Sequence, residues 1–553
     1  MAARILLVWL SVAGLAYSAG TLPGAARDDH ESAVEALLAA KADVDARDED
    51  GTTALGWSAM RCNTRIAERL LKAGANPDLA NGLDIGPLAL AITNGCPGMV
   101  RLLLDHRANP NAARENGETP LMTAARLGQV EVMKLLLGRG ADVNARETKF
   151  GQTALMWAAG RPEAVRLLLG RGADVRAMTK SWDVKYVIYA PTTVTLGRTG
   201  IPWNTDGEYM TRKGGLNALF FAVQRNDVES ARMLVEAGLD VNSKSADGTT
   251  PLLAALYKWD APESVFVPGR GAPAVAGSSQ RFRPDLAMAG FLLDRGAAVN
   301  VSDGAGYTPL HGAALAVAKA ARSASGRRRG AYGNSAAVLN LGAGNADPGL
   351  DLDASLAVVR RLLEAGADPN RPAIYPTAGP PGDVRINPAP PGSTPLHIAA
   401  SSNSAALAKM LAEKGGDPER LRKDGHSAVS VAVLAGDLAV LKELVARGGD
   451  VHRRYSPQDK VPDPVESITL PRQDQTLLHF AALDGSIPMI EYLHSLGLRL
   501  DAKNSMGETP LDVAGNRERY QEAAARQNAE GDPEKLRAIV RQTETTDAIR
   551  RLK

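Results

Sequence analysis

Few residues in this chain of 553 have the types and the spacing that catalysis or metal binding requires. His30 precedes Glu31, but the second histidine that a zinc-binding helix needs is missing. The sequence has no Gly-x-Ser-x-Gly motif, in which a sharp turn presents a nucleophilic serine. We therefore predict no catalytic residue, no cofactor and no metal site, and we expect the protein not to be an enzyme.

The only two cysteines of the sequence, Cys62 and Cys96, fall in the turns of two neighbouring helical units. In an exported protein a bridge between them is chemically permissible. Stacked helices lie roughly 8–10 Å apart, whereas the Cα atoms of bridged cysteines are about 4.4–6.8 Å apart. Helix spacing therefore favours two unpaired thiols, and a disulfide between Cys62 and Cys96 is the alternative.

Binding chemistry is concentrated in one segment, 176–214, which holds five aromatic residues: Trp182, Tyr186, Tyr189, Trp203 and Tyr209. Apolar residues alternate weakly along it, which predicts a β-hairpin. Trp and Tyr are enriched at binding hot spots, so these five residues are candidates for contact with a partner. The alternative, which we weigh more heavily, is that the rings pack on the segment itself or on its neighbours.

A block of about 33 residues recurs through most of the chain and must position all of these side chains. A repeat of this period indicates a solenoid, because one unit alone cannot bury its apolar face. The units align on one apolar position, occupied in turn by Leu55, Leu88, Leu121, Leu155, Leu219, Leu252, Leu310, Leu396, Val429, Leu478 and Leu511.

The third full block illustrates how each unit folds. Thr119 can cap a helix in which Pro120 takes the first position, and Gly128 permits the left-handed turn that ends it. Val130–Leu137 then form a second amphipathic helix. Turn residues at 140–144 lead into the next unit. We call the hairpin-like segment between the second helix of one unit and the first helix of the next a finger.

These residues resemble the ankyrin repeat, since Thr-Pro-Leu-His or a near variant stands at 308–311, 394–397 and 476–479. The resemblance covers residues 30–515. It implies an all-α ankyrin-repeat solenoid of about eleven units plus an N-terminal half unit, whose fingers and first helices line a concave, partner-binding side. It also implies that His311, His397 and His479 are structural hydrogen-bonding residues that tie a helix start to the neighbouring finger.

The chain departs from the regular repeat at several insertions and irregular turns. Three insertions are predicted in finger positions, near 176–214, 371–391 and 453–473, and two others between the helices of one unit, near 258–284 and 322–354. The last of these is rich in Gly, Ala, Ser and Asn and is predicted to be flexible. Within the regular units, residues 160–164 lack part of the turn between helices, Gly86 replaces the usual Thr, and Asn226 replaces the turn glycine.

The two ends of the chain carry different signals. Arg4, an apolar run and small residues predict a signal peptide over 1–19, and no later run is long enough to span a membrane. The repeat sequences together with this export signal suggest a bacterial protein that is periplasmic or secreted. Residues 516–553 are predicted to form a helical, polar C-terminal cap, because a solenoid must shield its last apolar face.

The resemblance and the missing catalytic motifs together imply a non-catalytic scaffold for protein–protein interaction, acting in the periplasm or outside the cell, that binds through finger loops and the concave helix face. The net charge is only +2 with both signs interspersed, so we expect no nucleic-acid partner. We expect the protein to be a monomer with one or more protein partners. The alternative is a small-ligand receptor or an enzyme that uses an inserted loop.

Overall fold

The computed structural model describes the backbone of residues 20–190, 204–257, 259–260, 281–282, 284–304, 306–325, 350–374, 392–402, 404–423, 425–456, 473–516, 518 and 544–553. Side chains are described for these residues except 184–190, 204–211, 259–260, 281–282 and 322–325. The predicted signal peptide, 1–19, lies outside this range. So do most of the predicted insertions at 258–284, 322–354, 371–391 and 453–473, and much of the predicted cap.

The chain divides into two compact units. Unit 1 comprises residues 1–182 and 214–246, and unit 2 comprises residues 183–213 and 247–553. Within each, helices come in pairs of a first and a second helix. The helices of unit 1 are Leu22–Arg27 and Glu31–Ala39, Ala54–Met60 and Thr64–Lys72, Pro87–Thr93 and Pro97–Asp105, Pro120–Leu127 and Val130–Gly138, Ala154–Trp157 and Pro162–Gly170, and Ala218–Gln224 and Val228–Glu236.

Unit 2 has the same pairing but more irregular lengths. Its helices are Pro251–Leu256 and Leu286–Asp294, Pro309–Ser325 and Leu352–Glu364, Pro395–Ala400 and Ala405–Glu413, Ala428–Leu434 and Leu438–Ala446, Leu477–Asp484 and Ile487–Ser495, and the single helix Glu544–Leu552. Residues 510–516 are also helical. Glu544–Leu552 packs against Ile487–Ser495, and the Glu518 carboxylate accepts the backbone N–H groups of Thr545 and Thr546 at its start.

Two small sheets accompany the helices. Ser181–Ala190 pairs with Asn204–Gly214, which confirms the two strands predicted for the aromatic insertion. Trp259–Asp260 pairs antiparallel with Arg281–Phe282 at the base of the insertion between two helices, and the sequence did not predict this pair.

Local chemistry explains the regular units. The hydroxyl oxygens of Thr53, Thr119 and Thr250 accept a backbone N–H three residues on, which caps the first helix of their repeats. The aligned apolar residues from Leu55 to Leu478 are all buried and form the core between neighbouring helices. Three predicted irregularities are also present. The helix Ala154–Trp157 has only four residues, Gly86 provides no side-chain cap, and Asn226 adopts φ +57°.

Many neighbouring repeats are joined by a clamp, in which a short polar side chain just after one second helix bonds the backbone at the end of the next second helix. In unit 1, Asn111 Oδ1 accepts the Asp142 backbone N–H at 2.7 Å, while Asn111 Nδ2 donates to the Gly140 carbonyl at 3.0 Å. Asn144 does the same one repeat later, with Asp174 and Gly172. In unit 2, Asn300 bonds Asp368 and Gly366 across an interval of 68 residues. The clamp therefore survives a long insertion.

Two predictions about boundaries are wrong. The N-terminal half unit is a complete helix pair, because Thr21 caps Leu22–Arg27 and Ala25 and Ala26 are small enough to bury fully against the Ala54–Met60 helix. The repeats thus begin before residue 30. The insertion predicted near 322–354 is also narrower than expected, since the flanking helices extend to Ser325 and from Leu352.

The three histidines of the Thr-Pro-Leu-His position have the structural role that the resemblance implies. In His311 the Nδ1 atom accepts the Thr308 backbone N–H at 3.2 Å, so its proton lies on Nε2, which donates to the Ser393 carbonyl at 3.2 Å. The same bonds recur at the two later positions, with the Nε2 of His397 on the His426 carbonyl and the Nε2 of His479 on the Glu508 carbonyl.

His311 should make stability depend on pH. Burial lowers its pKa to about 4 from 6.5. Between these values the unfolded chain binds a proton that the folded protein does not, so stability is full above pH 6.5 and falls as pH falls toward 4. The expected loss by pH 4 is about 3 kcal/mol in the free energy of unfolding.

Urea denaturation of the wild type and of His311→Gln from pH 7 to pH 4 measures this contribution. The variant should be less stable at pH 7 but show a shallower decline. The exposed His452 is the matched control, and His452→Gln should retain the wild-type decline. Equal slopes for His311→Gln and the wild type would contradict the assignment.

Candidate protein-binding surfaces

The aromatic insertion is anchored by Trp182. The Trp182 and Phe150 ring centroids are 5.5 Å apart. Gly214, at the end of the second strand, has φ +89°, and a Cβ atom there would come within 2.8 Å of the Trp182 ring. Trp182 is therefore a packing residue at the base of the insertion.

The remaining aromatic candidates lie further along the insertion. Tyr186 and Tyr189 belong to the first strand and Tyr209 to the second, while Trp203 lies outside the described residues. Their contact with a partner stays a prediction. At the base of the second strand, Lys213 Nζ lies 2.8 Å from Asp247 Oδ2.

Exposed apolar side chains are concentrated in the fingers. Among the described residues, the large hydrophobic side chains that are most exposed include Leu83 at 74%, Ile374 at 49%, Met506 at 43% and Met178 at 41%. Each of them follows the second helix of one repeat and lies in the finger before the next described element. Single exposed apolar residues are common on protein surfaces. Their recurrence in fingers nevertheless supplies apolar contact area in several repeats.

A cleft of about 190 Å³ lies on the first-helix face of unit 1, the side formed by the first helices of successive pairs. It lies at the four-residue helix Ala154–Trp157, which is flanked by first helices of eight and seven residues. The aliphatic part of Arg225 covers Gly160, where a Cβ atom would come within 2.7 Å of the Arg225 Cδ. The lining residues are Arg126, Gln152, Met156, Trp157, Phe221 and Arg225.

Sequence reasoning missed this cleft, although the alignment contains its signal. Two positions after the aligned leucine, most units carry a small or aliphatic residue. Trp57, Trp157 and Phe221 are exceptions in unit 1, and the last two belong to adjacent repeats. The shortened turn at 160–164 is a second irregularity of the same repeat that the sequence shows.

Cys62 and Cys96 form a disulfide, with Cα atoms 5.6 Å apart. The expectation of unpaired thiols is wrong because the cysteines lie in turns, where the chains approach more closely than helix axes do. Cys62 occupies the left-handed position with φ +60° that Gly95 and Gly128 occupy in the following repeats. Cys96 lies one place further along its own turn, at the start of the Pro97–Asp105 helix.

Within the described ranges, no group of three or more His, Cys, Asp or Glu side chains is arranged to hold a metal ion. The helices in those ranges include none that is both long enough and apolar enough to cross a bilayer.

Within each unit the helix pairs stack, fingers lie between them and polar clamps join them. This is the architecture of helical-repeat proteins, which commonly present binding surfaces. The family model described as "Ankyrin repeats (3 copies)" matches residues 22–114, 88–179 and 354–455. The model described as "Ankyrin repeats (many copies)" matches residues 463–514. Together the two models cover more than half of the chain, which therefore belongs to the ankyrin-repeat family.

Two of the curated relatives match only part of this chain. Over 113 residues the chain is 37% identical to neurogenic locus notch homolog protein 1 of Cricetulus griseus, a match that covers 20% of this chain and 4% of that protein. Over 129 residues it is 36% identical to SH3 and multiple ankyrin repeat domains protein 2 of Homo sapiens, covering 23% of this chain and 7% of that protein. The chain thus spans a small fraction of the length of the curated relatives it matches.

Reducing the disulfide should destabilise the first repeats of unit 1. A bridge that closes a loop of 34 residues contributes about 3 to 4 kcal/mol through the entropy of the unfolded chain. Urea denaturation of the oxidised protein, with and without reductant, should therefore show a lower midpoint for the early repeats after reduction.

Two double variants separate the bridge from the backbone conformation. Cys62→Ser with Cys96→Ser should match the reduced protein. Cys62→Gly with Cys96→Ser should be more stable than the serine pair by about 1 kcal/mol, because glycine adopts positive φ without strain. Identical midpoints for the oxidised protein and the serine pair would show that the bridge contributes nothing.

Proposed function

We propose that this protein is a monomeric, non-catalytic scaffold that a bacterium exports to the periplasm or beyond, where it binds a protein partner. The fingers and the first-helix face of the repeats supply the contact surface. The observation that carries the proposal is the recurrence of exposed apolar side chains in the fingers, at Leu83, Met178, Ile374 and Met506. Exposed apolar side chains spread over the fingers of several repeats fit a protein surface better than they fit a small molecule.

The aromatic insertion adds to this surface. Its two strands have 10 and 11 residues, and they carry Tyr186, Tyr189 and Tyr209. Because Trp182 packs at the base, we assign partner contact to the other aromatic residues of the insertion. Tyr combines a large rigid contact area with a polar group, which suits an interface.

Export is supported by the disulfide as well as by the predicted signal peptide. Structural disulfides form and persist in oxidising compartments and are rare in the bacterial cytosol. A Cys62–Cys96 bridge between neighbouring repeats therefore fits a protein that folds in the periplasm or outside the cell.

Removing the outer part of the aromatic insertion should abolish partner capture and leave the repeats folded. The deletion replaces residues 184–212 with a Gly-Ser-Gly linker. It keeps Trp182, Lys213 and Gly214, which hold the base. Captured proteins from envelope and culture fractions, identified by mass spectrometry for each form of the protein, give the measurement, and light scattering gives the mass of the uncomplexed chain.

A matched deletion of residues 326–349 is the control, because that insertion lies between the helices of one repeat and not in a finger. It should retain the partner that the wild type captures. Equal capture by both deletion variants would argue against a role for the aromatic insertion. Enzymatic turnover or binding of a small metabolite that depends on residues 184–212 would contradict the scaffold itself.

Thiol labelling in cells tests the location. In the bacterium, Cys62 and Cys96 of the full chain should resist a maleimide reagent until a reductant is added, and the protein should fractionate with the periplasm or the medium. Removing residues 2–19 should leave the protein in the cytosol with both thiols reactive. Full-length protein found in the cytosol with reactive thiols would refute export.

A further inference from the structure

Trp157 differs from Trp57 in a way that points to a ligand. Both residues stand two positions after the aligned leucine, and both have a guanidinium near the ring. The Arg27 group lies 5.9 Å from the Trp57 centroid, and the Arg126 group lies 5.7 Å from that of Trp157. Trp57 Nε1 donates to Asp48 Oδ2 at 2.6 Å. The Trp157 Nε1 is buried and has no acceptor within the described part of the chain.

The missing acceptor has a local cause. Asp48 accepts backbone N–H groups of its own finger through Oδ1 and leaves Oδ2 for the indole. Glu147 holds the corresponding place, since each acid directly follows the residue that forms a β-bridge with the threonine at the helix start. Both oxygens of Glu147 are occupied by the backbone, Oε1 by Phe150 and Gln152 and Oε2 by Lys149. Trp157 thus lacks the carboxylate that Trp57 has.

The charges around the cleft have the sign that a carboxylate requires. Arg126 lies 3.7 Å from the Glu118 carboxylate, but that group is shared with Arg114 at 3.4 Å. Among the described residues no acidic side chain pairs with Arg225, on the other side of the cleft. Met156 and Phe221 supply the apolar part of the cleft lining. An anion next to an apolar group would complement all of these features.

We propose that this cleft binds an aspartate or glutamate side chain of an extended segment of the protein partner. The carboxylate lies between Arg126 and Arg225 and accepts the Trp157 Nε1–H, as Asp48 does for Trp57. An apolar side chain next to the acidic one packs on Met156 and Phe221. Charge-assisted hydrogen bonds from arginine to a carboxylate are strong and directional, and arginine and aromatic residues are enriched in interface cores. This proposal rests on the proposed function and specifies the chemistry of the partner.

Indole NMR of the full oxidised chain tests the site directly. The probe is a ten-residue Gly/Ser peptide with a central Glu-Leu-Glu, added to protein labelled with ¹⁵N at its tryptophan indoles. The Trp157 signal, assigned by its loss in Trp157→Phe, should shift on titration. The Trp57 signal should stay in place because its N–H is already bonded. A Gln-Leu-Gln peptide and a phosphoserine-Leu-phosphoserine peptide should bind at least about tenfold more weakly.

Two arginine variants at equivalent turn positions test how much the Arg225 charge contributes to peptide affinity. Arg225→Met keeps the aliphatic stem over Gly160 and removes the charge, so it should weaken binding of the Glu-Leu-Glu peptide about tenfold. Arg61 stands six residues after its aligned leucine, as Arg225 does, and Arg61→Met should leave affinity unchanged.

Several results would overturn the proposal. These are an unmoved Trp157 signal at millimolar Glu-Leu-Glu peptide, equal or tighter binding of the Gln or phosphoserine peptide, and unchanged affinity in Arg225→Met. Even after one of these results, the scaffold function would still hold if partner capture depended on residues 184–212. Loss of specific capture by the wild type would instead refute the scaffold function.

Discussion

The clamp between neighbouring repeats is the contact on which each unit of this protein depends. An asparagine amide both accepts and donates, so Asn111 can bond Asp142 and Gly140 with one side chain. Each such residue fixes the end of the next second helix relative to its own. Because stability in a repeat array comes from such nearest-neighbour terms, the register of the stack is set locally, one interface at a time. Asn300 shows that the intervening length of chain is of little consequence.

Because each interface between repeats is set locally, the chain can carry insertions and deletions in the segments where partner binding is expected. The aromatic insertion is held at its base by the packing of Trp182 on Phe150, and the clamp of Asn144 on Asp174 and Gly172 persists in the repeat before it. A deletion is accommodated in the same way. The four-residue helix Ala154–Trp157 still packs against the first helices on either side of it. The cleft lies beside this short helix.

The sequence predicted the repeat, the buried leucine series and the role of His311 because each depends on residues close together within a repeating pattern. It failed at the N-terminus, where Leu22–Arg27 lacks the Thr-Pro-Leu signature and is recognisable only by its packing. It also failed at Cys62 and Cys96, because a general helix spacing says nothing about two particular turns. The cleft around Trp157 escaped notice for a related reason. A buried indole N–H with no acceptor among the described residues is a property of three-dimensional surroundings, and Trp57, in the same sequence position, has its acceptor.

The central claim is that regular repeats hold the scaffold while partner contacts lie in the fingers and on the first-helix face. Hydrogen–deuterium exchange of the full chain, with and without its captured partner, tests this claim most directly. Binding should slow exchange in the aromatic insertion, in finger segments such as those of Leu83 and Met178, and at 120–127, 154–157 and 218–224. The second helices, such as Thr64–Lys72 and Val130–Gly138, should be unchanged. Protection confined to the second helices, with the fingers unaffected, would contradict it.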